Sequence, residues 1–330
     1  MYNNNSSFPV ELLDKSILER HKYFSNYIIL HPFLKKAVND IVAEIGSVRS
    51  EKIVFVFGPT GVGKNELIKI VTERLVELAQ QKLFSNAGCI PVVNVEASAS
   101  DSRHFDLPKL WTSALKIMKE PLLDKKIKYI DEVSITPDGK RIVLSKIKKG
   151  DMREVLENAL RNRESSALIF NEAHYLLRES SDDETNWEAI KSLANKSQTP
   201  IILVGTYEIT RFLEDNKSLS DQDSIVEFPR YSHKVKSQVE IFQNIMIELS
   251  RHMPLEKTAE DLVIHDFMYF YKYTLGCVGL LKDWFNSAYE LALNDQAVTL
   301  TKNHLEETRI SGQRSMGMLK SIIDGERKMQ

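Results

Sequence analysis

The sequence predicts an α/β fold: a three-layer domain on a parallel sheet, followed by a small all-helical lid. Three observations carry that prediction. An apolar run, Val54-Phe55-Val56-Phe57, feeds a glycine-rich loop and then a helical pattern. Further short apolar runs alternate with helical segments to about residue 232, the order that yields parallel strands covered by helices. From residue 235 to about 293 the spacing of apolar residues is helical only.

The elements follow in order. Residues 1–50 read as a polar arm and a helix, with Leu34, Val38, Ile41, Val42 and Ile45 at helical spacing and His31-Pro32 marking its start. The first buried strand is 53–57. A helix is expected over 66–83, with Leu67, Ile70, Val71, Leu75 and Leu78 facing inward. A second strand covers 90–96, a Ser- and Asp-rich loop 97–108, and a helix 110–119. The stretch 120–150 reads as irregular and charged, with a turn at Thr136-Pro137-Asp138-Gly139. A helix over 152–163 leads to a buried strand at 167–170. A helix over 187–195 leads to a strand over 200–206, and another strand lies near 225–228. After the helical portion a last helix starts near Thr301, and a loosely patterned tail ends the chain. The organisation expected is an arm and helix over 1–50, the α/β domain over 51–232, the lid over 233–310 and a tail over 311–330.

Composition bounds the function classes. With 330 residues, 42% of them hydrophobic, the chain has material for about two globular domains. A net charge of −2 supplies no global basic field, so any nucleic-acid contact has to come from a local patch. Cys89 and Cys277 lie far apart and match no metal spacing, which points to free thiols in a reducing compartment. The start, Met1 to Ser7, has no apolar signal core, and no stretch reaches the roughly 18 apolar residues of a membrane span. A cytoplasmic protein with no membrane partner is expected.

The loop carries the chemistry. Gly58-Pro59-Thr60-Gly61-Val62-Gly63-Lys64-Asn65 has the form G-x-x-x-x-G-K, a phosphate-binding P-loop. Its glycines let consecutive backbone N–H groups converge on one phosphate. The helix that starts there adds its positive end. Lys64 is a mobile point charge for the β- and γ-phosphates. The expected cofactor contacts are Gly58 to Glu66, and the expected ligand is a nucleoside triphosphate. The position after the lysine normally gives a hydroxyl to Mg²⁺, and here it is Asn65.

The second half of the motif departs in the same way. Ala167-Leu168-Ile169-Phe170-Asn171-Glu172 reads as a Walker B strand, whose first polar residue is usually an Asp that anchors the ion. Asn171 has no charge for that task, whereas Glu172, the expected base for the attacking water, is intact. Mg²⁺ demands near-ideal octahedral oxygen geometry. Both protein positions that usually serve it, Asn65 and Asn171, are amides, so weak metal binding is expected. Two consequences stay open: poor metal-dependent hydrolysis, or tolerated amides with slow turnover.

These motifs, with a strand ending in Gly205-Thr206 and a helical lid, resemble the AAA+ ATPases. Leu275-Gly276-Cys277-Val278-Gly279-Leu280-Leu281-Lys282-Asp283-Trp284 looks like the lid signature of the TnsC/TniB regulators of DNA transposition. Glu172-Ala173-His174 and Phe228-Pro229-Arg230-Tyr231 fit the same group. The resemblance implies a protein that binds ATP between subunits and assembles as a homo-oligomer or filament on DNA without regard to sequence. It also implies a link between a target selector and a transposase. Thr206 would be the sensor-1 residue beside Glu172. Lys282 is either a sensor-2 cation or a solvated helix lysine. His174 either tunes the base or packs beside the strand end.

The resemblance also implies an arginine contributed across the subunit interface, worth roughly 10³–10⁵ in rate. The segment 219–226 expected to carry it has none, and Arg211 and Arg230 are the nearest. Candidate DNA contacts are Arg103, Lys140, Arg141, Lys146, Lys148 and Lys149, with His104 beside them. The same basic cluster also reads as a solvated loop. The tail either docks on a partner or packs on the lid. Two other functions are compatible with the sequence: a scaffold that has lost nucleotide, and an active ATPase of defence or replication initiation.

Overall fold

The computed structural model describes residues 7–46, 52–97, 105–121, 123, 129–135, 141–147, 151–177, 183–211 and 223–329. The chain packs into two compact units. One comprises Val38–Phe57 and Ile68–Val226; the other comprises Met1–Ala37, Gly58–Leu67 and Glu227–Gln330.

The first unit is built on a five-stranded sheet. Its strands are β1 (Ile53–Phe57), β2 (Val92–Glu96), β5 (Ala167–Asn171), β6 (Ile201–Gly205) and β7 (Ser224–Glu227), in the order β2-β5-β6-β1-β7. The pairs β2–β5, β5–β6 and β6–β1 run parallel. Every residue of β1 and β6 is buried, which is why these strands read as unbroken apolar runs rather than alternating ones. Helices α5 (Leu107–Ile117), α6 (Asp151–Asn162) and α7 (Asp183–Ser197) belong to this unit, and α5 and α7 each supply a tryptophan to the sheet. Trp187 meets Phe55 at 5.5 Å between ring centroids, and Trp111 meets Phe170 at 5.8 Å.

Two expectations in this unit are corrected. The helix expected over 66–83 is instead α3 (Lys64–Leu78) and a short α4 (Gln80–Ser85). The helical backbone is interrupted at Ala79, with φ −87° and ψ 5°, and Leu78, expected inside, is exposed. The stretch 120–150 is not wholly irregular: β3 (Tyr129–Ile135) pairs antiparallel with β4 (Arg141–Ile147).

The second unit is helical. Helix α1 (Ile17–Asn26) opens with a capping box between Ser16 and Glu19, and Pro32 is the first residue of α2 (Pro32–Gly46), which belongs to this unit up to Ala37 and to the first from Val38 on. The portion after β7 folds as α8 (Lys236–Arg251), α9 (Glu260–His265), α10 (Phe267–Thr274), α11 (Val278–Asn294) and α12 (Lys302–Thr308). The tail is a helix too, α13 (Gly312–Lys328), capped by Ser311. Phe24, Phe242, Phe270, Phe285 and Tyr289 are among the fully buried rings of this core. Among the described residues, no helix is long and apolar enough to cross a membrane.

Candidate functional site

Strand β1 delivers the chain into the glycine loop. Gly61 has φ +79° and Gly63 φ +112°, backbone conformations that an L side chain rarely adopts. The Val62 amide donates to Pro59 O at 3.3 Å, which folds the loop back on itself. Helix α3 begins at Lys64 directly after the loop, so its first amides have no intrahelical acceptors. Lys64 is buried, and its Nζ donates to Gly58 O at 3.1 Å and Pro59 O at 3.0 Å. The one cation of the motif is therefore held inside the curl of the loop. Thr60, Asn65 and Glu66 are exposed.

Helix α11 starts against this loop. The Leu280 amide donates to Gly61 O at 2.8 Å. A Cβ on Gly279 would stand 2.5 Å from Gly61 O and 3.0 Å from Gly63 N. The Gly-x-x-Gly pair at 276 and 279 was legible in the sequence, but the task of Gly279, clearing the way for the phosphate loop, was not. Phe228 approaches from the opposite sequence direction, with its carbonyl 2.1 Å from where a Gly58 Cβ would lie.

Lys282 is half-buried, and its ammonium lies against α1. Nζ donates to Phe24 O and sits 3.4 Å from the Phe24 ring centroid and 5.7 Å from that of Tyr27. Burial pushes it down to about 7, against the pull of Glu66 and Asp283. No sequence signal marked Phe24 as its neighbour. Arg230 is bound within its own chain, to Glu326, Tyr271 and Leu275. Arg211 Nη1 is 3.5 Å from Leu177 O.

In the sheet unit the register sets Phe57 opposite Gly205 and Phe170 opposite Leu203. Asn171, Glu172 and Thr206 thus leave the same sheet edge from which β1 passes into Gly58. Asn171 Oδ1 accepts from the Glu172 amide at 3.1 Å. Glu172 adopts a left-handed conformation, φ 54° and ψ 36°, uncommon for a non-glycine residue. Its Oε2 lies 3.2 Å from His174 Nδ1. Thr206 Oγ1 is buried without a hydrogen-bond partner among the described residues.

Arg141 and Lys146 lie on β4, in register with Ile135 and Ile130. Arg103, His104, Lys140, Lys148 and Lys149 lie outside the described residues, as do residues 219–222 of the segment 219–226. Among the described residues, no group of three or more His, Cys, Asp or Glu side chains is placed to hold a metal ion. Cys89 and Cys277 are both buried and unbridged.

Residues 48–213 match the AAA_22 family, described as an AAA domain. Among solved structures, the fold is similar to Drosophila ORC bound to DNA (16% identity, 93% of this chain and 69% of that chain, TM-score 0.55). It is also similar to the Aeropyrum pernix ORC2 protein in its ADPNP-ADP complexes (11% identity, 89% and 71%, TM-score 0.51). A third likeness is to the Walker-type ATPase PABY2304 of Pyrococcus abyssi (15% identity, 89% and 74%, TM-score 0.50). At such identities the likeness is one of fold. No curated protein matches the chain. The family match covers half the chain and contains the loop, the strand end at Asn171-Glu172 and Thr206, so the chain belongs to the AAA domain family.

Proposed function

We propose that this AAA protein binds ATP through residues 58–66 and uses the nucleotide as an assembly ligand on DNA, as a regulator of the TnsC/TniB type that links a target selector to a transposase. The observation that carries nucleotide binding is the loop: glycine at both positive-φ positions and Lys64 Nζ held on the Gly58 and Pro59 carbonyls. A charged amine so placed is ready for phosphate oxygens, and the amides of the first turn of α3, which have no acceptor within the helix, would supply further donors. Bound ATP would bring the terminal phosphoryl group whose cleavage is in question. Contact with DNA is supported by the fold likeness to an ORC structure that contains it. The transposition role rests on the residues of the lid segment 275–284.

Weak hydrolysis follows from the donor set. Mg²⁺ is a hard cation that favours anionic oxygen. Asn65 and Asn171 offer neutral amides, and Asn171 Oδ1 is engaged by the Glu172 amide. These residues do not fit a tightly held ion. Glu172 would orient water with His174 beside it, and the buried hydroxyl of Thr206 would sense the γ-phosphate. Arg230 is tied up within its own chain, which removes it as a ready partner for a neighbour's nucleotide.

Two measurements test this. A fluorescent ATP analogue should bind the parent saturably, and Lys64→Ala should weaken it by at least about tenfold. The absence of saturable binding would favour the nucleotide-free scaffold. Steady-state phosphate release at saturating ATP and Mg²⁺ should be slow in the parent and faster in Asn65→Thr/Asn171→Asp. A fast parent rate, unchanged in the double variant, rules out the impaired pocket.

A further inference from the structure

The C-terminal helix has a task that the proposed function does not use. Arg230 follows the strand that ends at Glu227 and has a side chain only 13% exposed. Its guanidinium meets the Glu326 carboxylate in a fork, Nε to Oε1 at 2.7 Å and Nη2 to Oε2 at 3.0 Å. Nη1 donates to Leu275 O at 3.0 Å and to Tyr271 Oη at 3.1 Å. Helix α13 is thereby fastened to the junction between α10 and α11.

That junction is a hinge in backbone terms. Leu275 has φ 56° and Gly276 φ 80°, two successive left-handed residues. Gly276 is pressed against Tyr231, whose amide donates to Gly276 O at 2.9 Å. A Cβ on Gly276 would stand 1.9 Å from Tyr231 O. The Tyr271 hydroxyl donates to that same Tyr231 carbonyl at 3.1 Å. Four residues past the glycine, Leu280 donates to Gly61 O in the phosphate loop. An apolar route runs in parallel: Ile322 of α13 is buried with Leu275 and Cys277, and Leu280 packs against the same cluster.

We infer that Arg230 is a positioning residue. Held by Glu326 of the C-terminal helix, it fixes the Leu275-Gly276 hinge so that Gly279 and Leu280 seat on the phosphate loop, and this seating raises the loop's affinity for a nucleoside triphosphate. The affinity half of the inference rests on the nucleotide reading of residues 58–66. Removing the carboxylate leaves a largely buried guanidinium uncompensated, the situation in which ion pairs cost most. Glu326 is itself about one-third exposed, so solvent screens part of the effect and the hinge loosens rather than unfolds.

The test uses the full chain as parent, Glu326→Gln, Glu326→Lys and the swapped pair Arg230→Glu/Glu326→Arg. Two readouts are taken: hydrogen exchange of the Leu280 amide without nucleotide, and the Kd of a fluorescent ATP analogue. Glu326→Lys should speed exchange at Leu280 and raise Kd, each by about tenfold, with a smaller effect for Glu326→Gln. Amides of β5 and β6 should exchange as in the parent. The swapped pair should recover part of both losses. Parent-like exchange at Leu280 in both Glu326 variants overturns the positioning role. Fast exchange with a parent-like Kd overturns the link to nucleotide. A parent that binds no nucleotide overturns the reading of the loop instead, and exchange at Leu280 then decides the positioning role alone.

Discussion

His31 is a buried imidazole whose environment dictates its protonation. The ring is 4% exposed and stacks on Phe228, with centroids 5.9 Å apart. Nδ1 lies 2.9 Å from the Tyr231 hydroxyl, and the Leu34 amide donates to it at 3.4 Å. A nitrogen that receives an amide N–H acts as acceptor, so the ring is neutral with its proton on Nε2. Burial pushes its pKa from 6.5 down to about 4. The unfolded chain therefore binds a proton that the folded chain refuses between those values. Stability from this site is complete above 6.5 and is lost as pH falls towards 4. His31→Gln cannot titrate, so the drop in its thermal midpoint between pH 7 and pH 4.5 should be smaller than in the parent. Equal drops in the two proteins would place the acid sensitivity elsewhere.

At the scale of the element, the start of α11 shows one position pulled two ways. Gly279→Ala improves helix propensity by about 1 kcal/mol. The added Cβ also meets backbone on the phosphate loop, 2.5 Å from Gly61 O and 3.0 Å from Gly63 N, neither of which can rotate away. The clash acts on the loop and the propensity acts on the helix, so the two are separable. Nucleotide affinity should fall about tenfold while the thermal midpoint stays within a few degrees of the parent. Parent-like affinity would show that the lid can lift without cost.

The elements that were legible share a feature. Strands β1, β5 and β6 are short apolar runs with polar or glycine ends, and the helix that starts at Pro32 keeps a clean period. The elements that were missed hide their pattern. The β3–β4 pair alternates with so many charges that the run read as a loop, although it sets two β-branched residues in register, Val133 with Val143. Helix α13 contains Gly312, Gly317 and Gly325, poor helix formers, and it stands because Ser311 caps it and Ile322 and Arg230 anchor it. In the site, the loop and the strand-end pair Asn171-Glu172 were visible as motifs. The seats of Lys282 on Phe24 and of Gly279 on Gly61 depend on long-range packing that no single sequence displays.

For the whole molecule, packing departs from chain order: Gly58–Leu67 groups with Glu227–Gln330 rather than with the strand that precedes it. Charge nearly cancels over the whole chain. With 44 basic against 46 acidic residues, the molecule as a whole has no attraction for a polyanion. Any DNA affinity must therefore come from a few local cations that displace counterions. Each phosphate neutralised on duplex DNA contributes about 0.9 to the slope of log affinity against log salt. If Lys140, Arg141, Lys146, Lys148 and Lys149 make such contacts, their joint replacement by Ala should flatten that slope by several units in the presence of ATP. Affinities for duplexes of unrelated sequence should fall together, because phosphate contacts carry no base information. Fluorescence anisotropy on two such duplexes across a salt series measures both effects. A slope unchanged by the replacement would remove this cluster from the interface, and a strong preference between the duplexes would replace backbone contact with base readout.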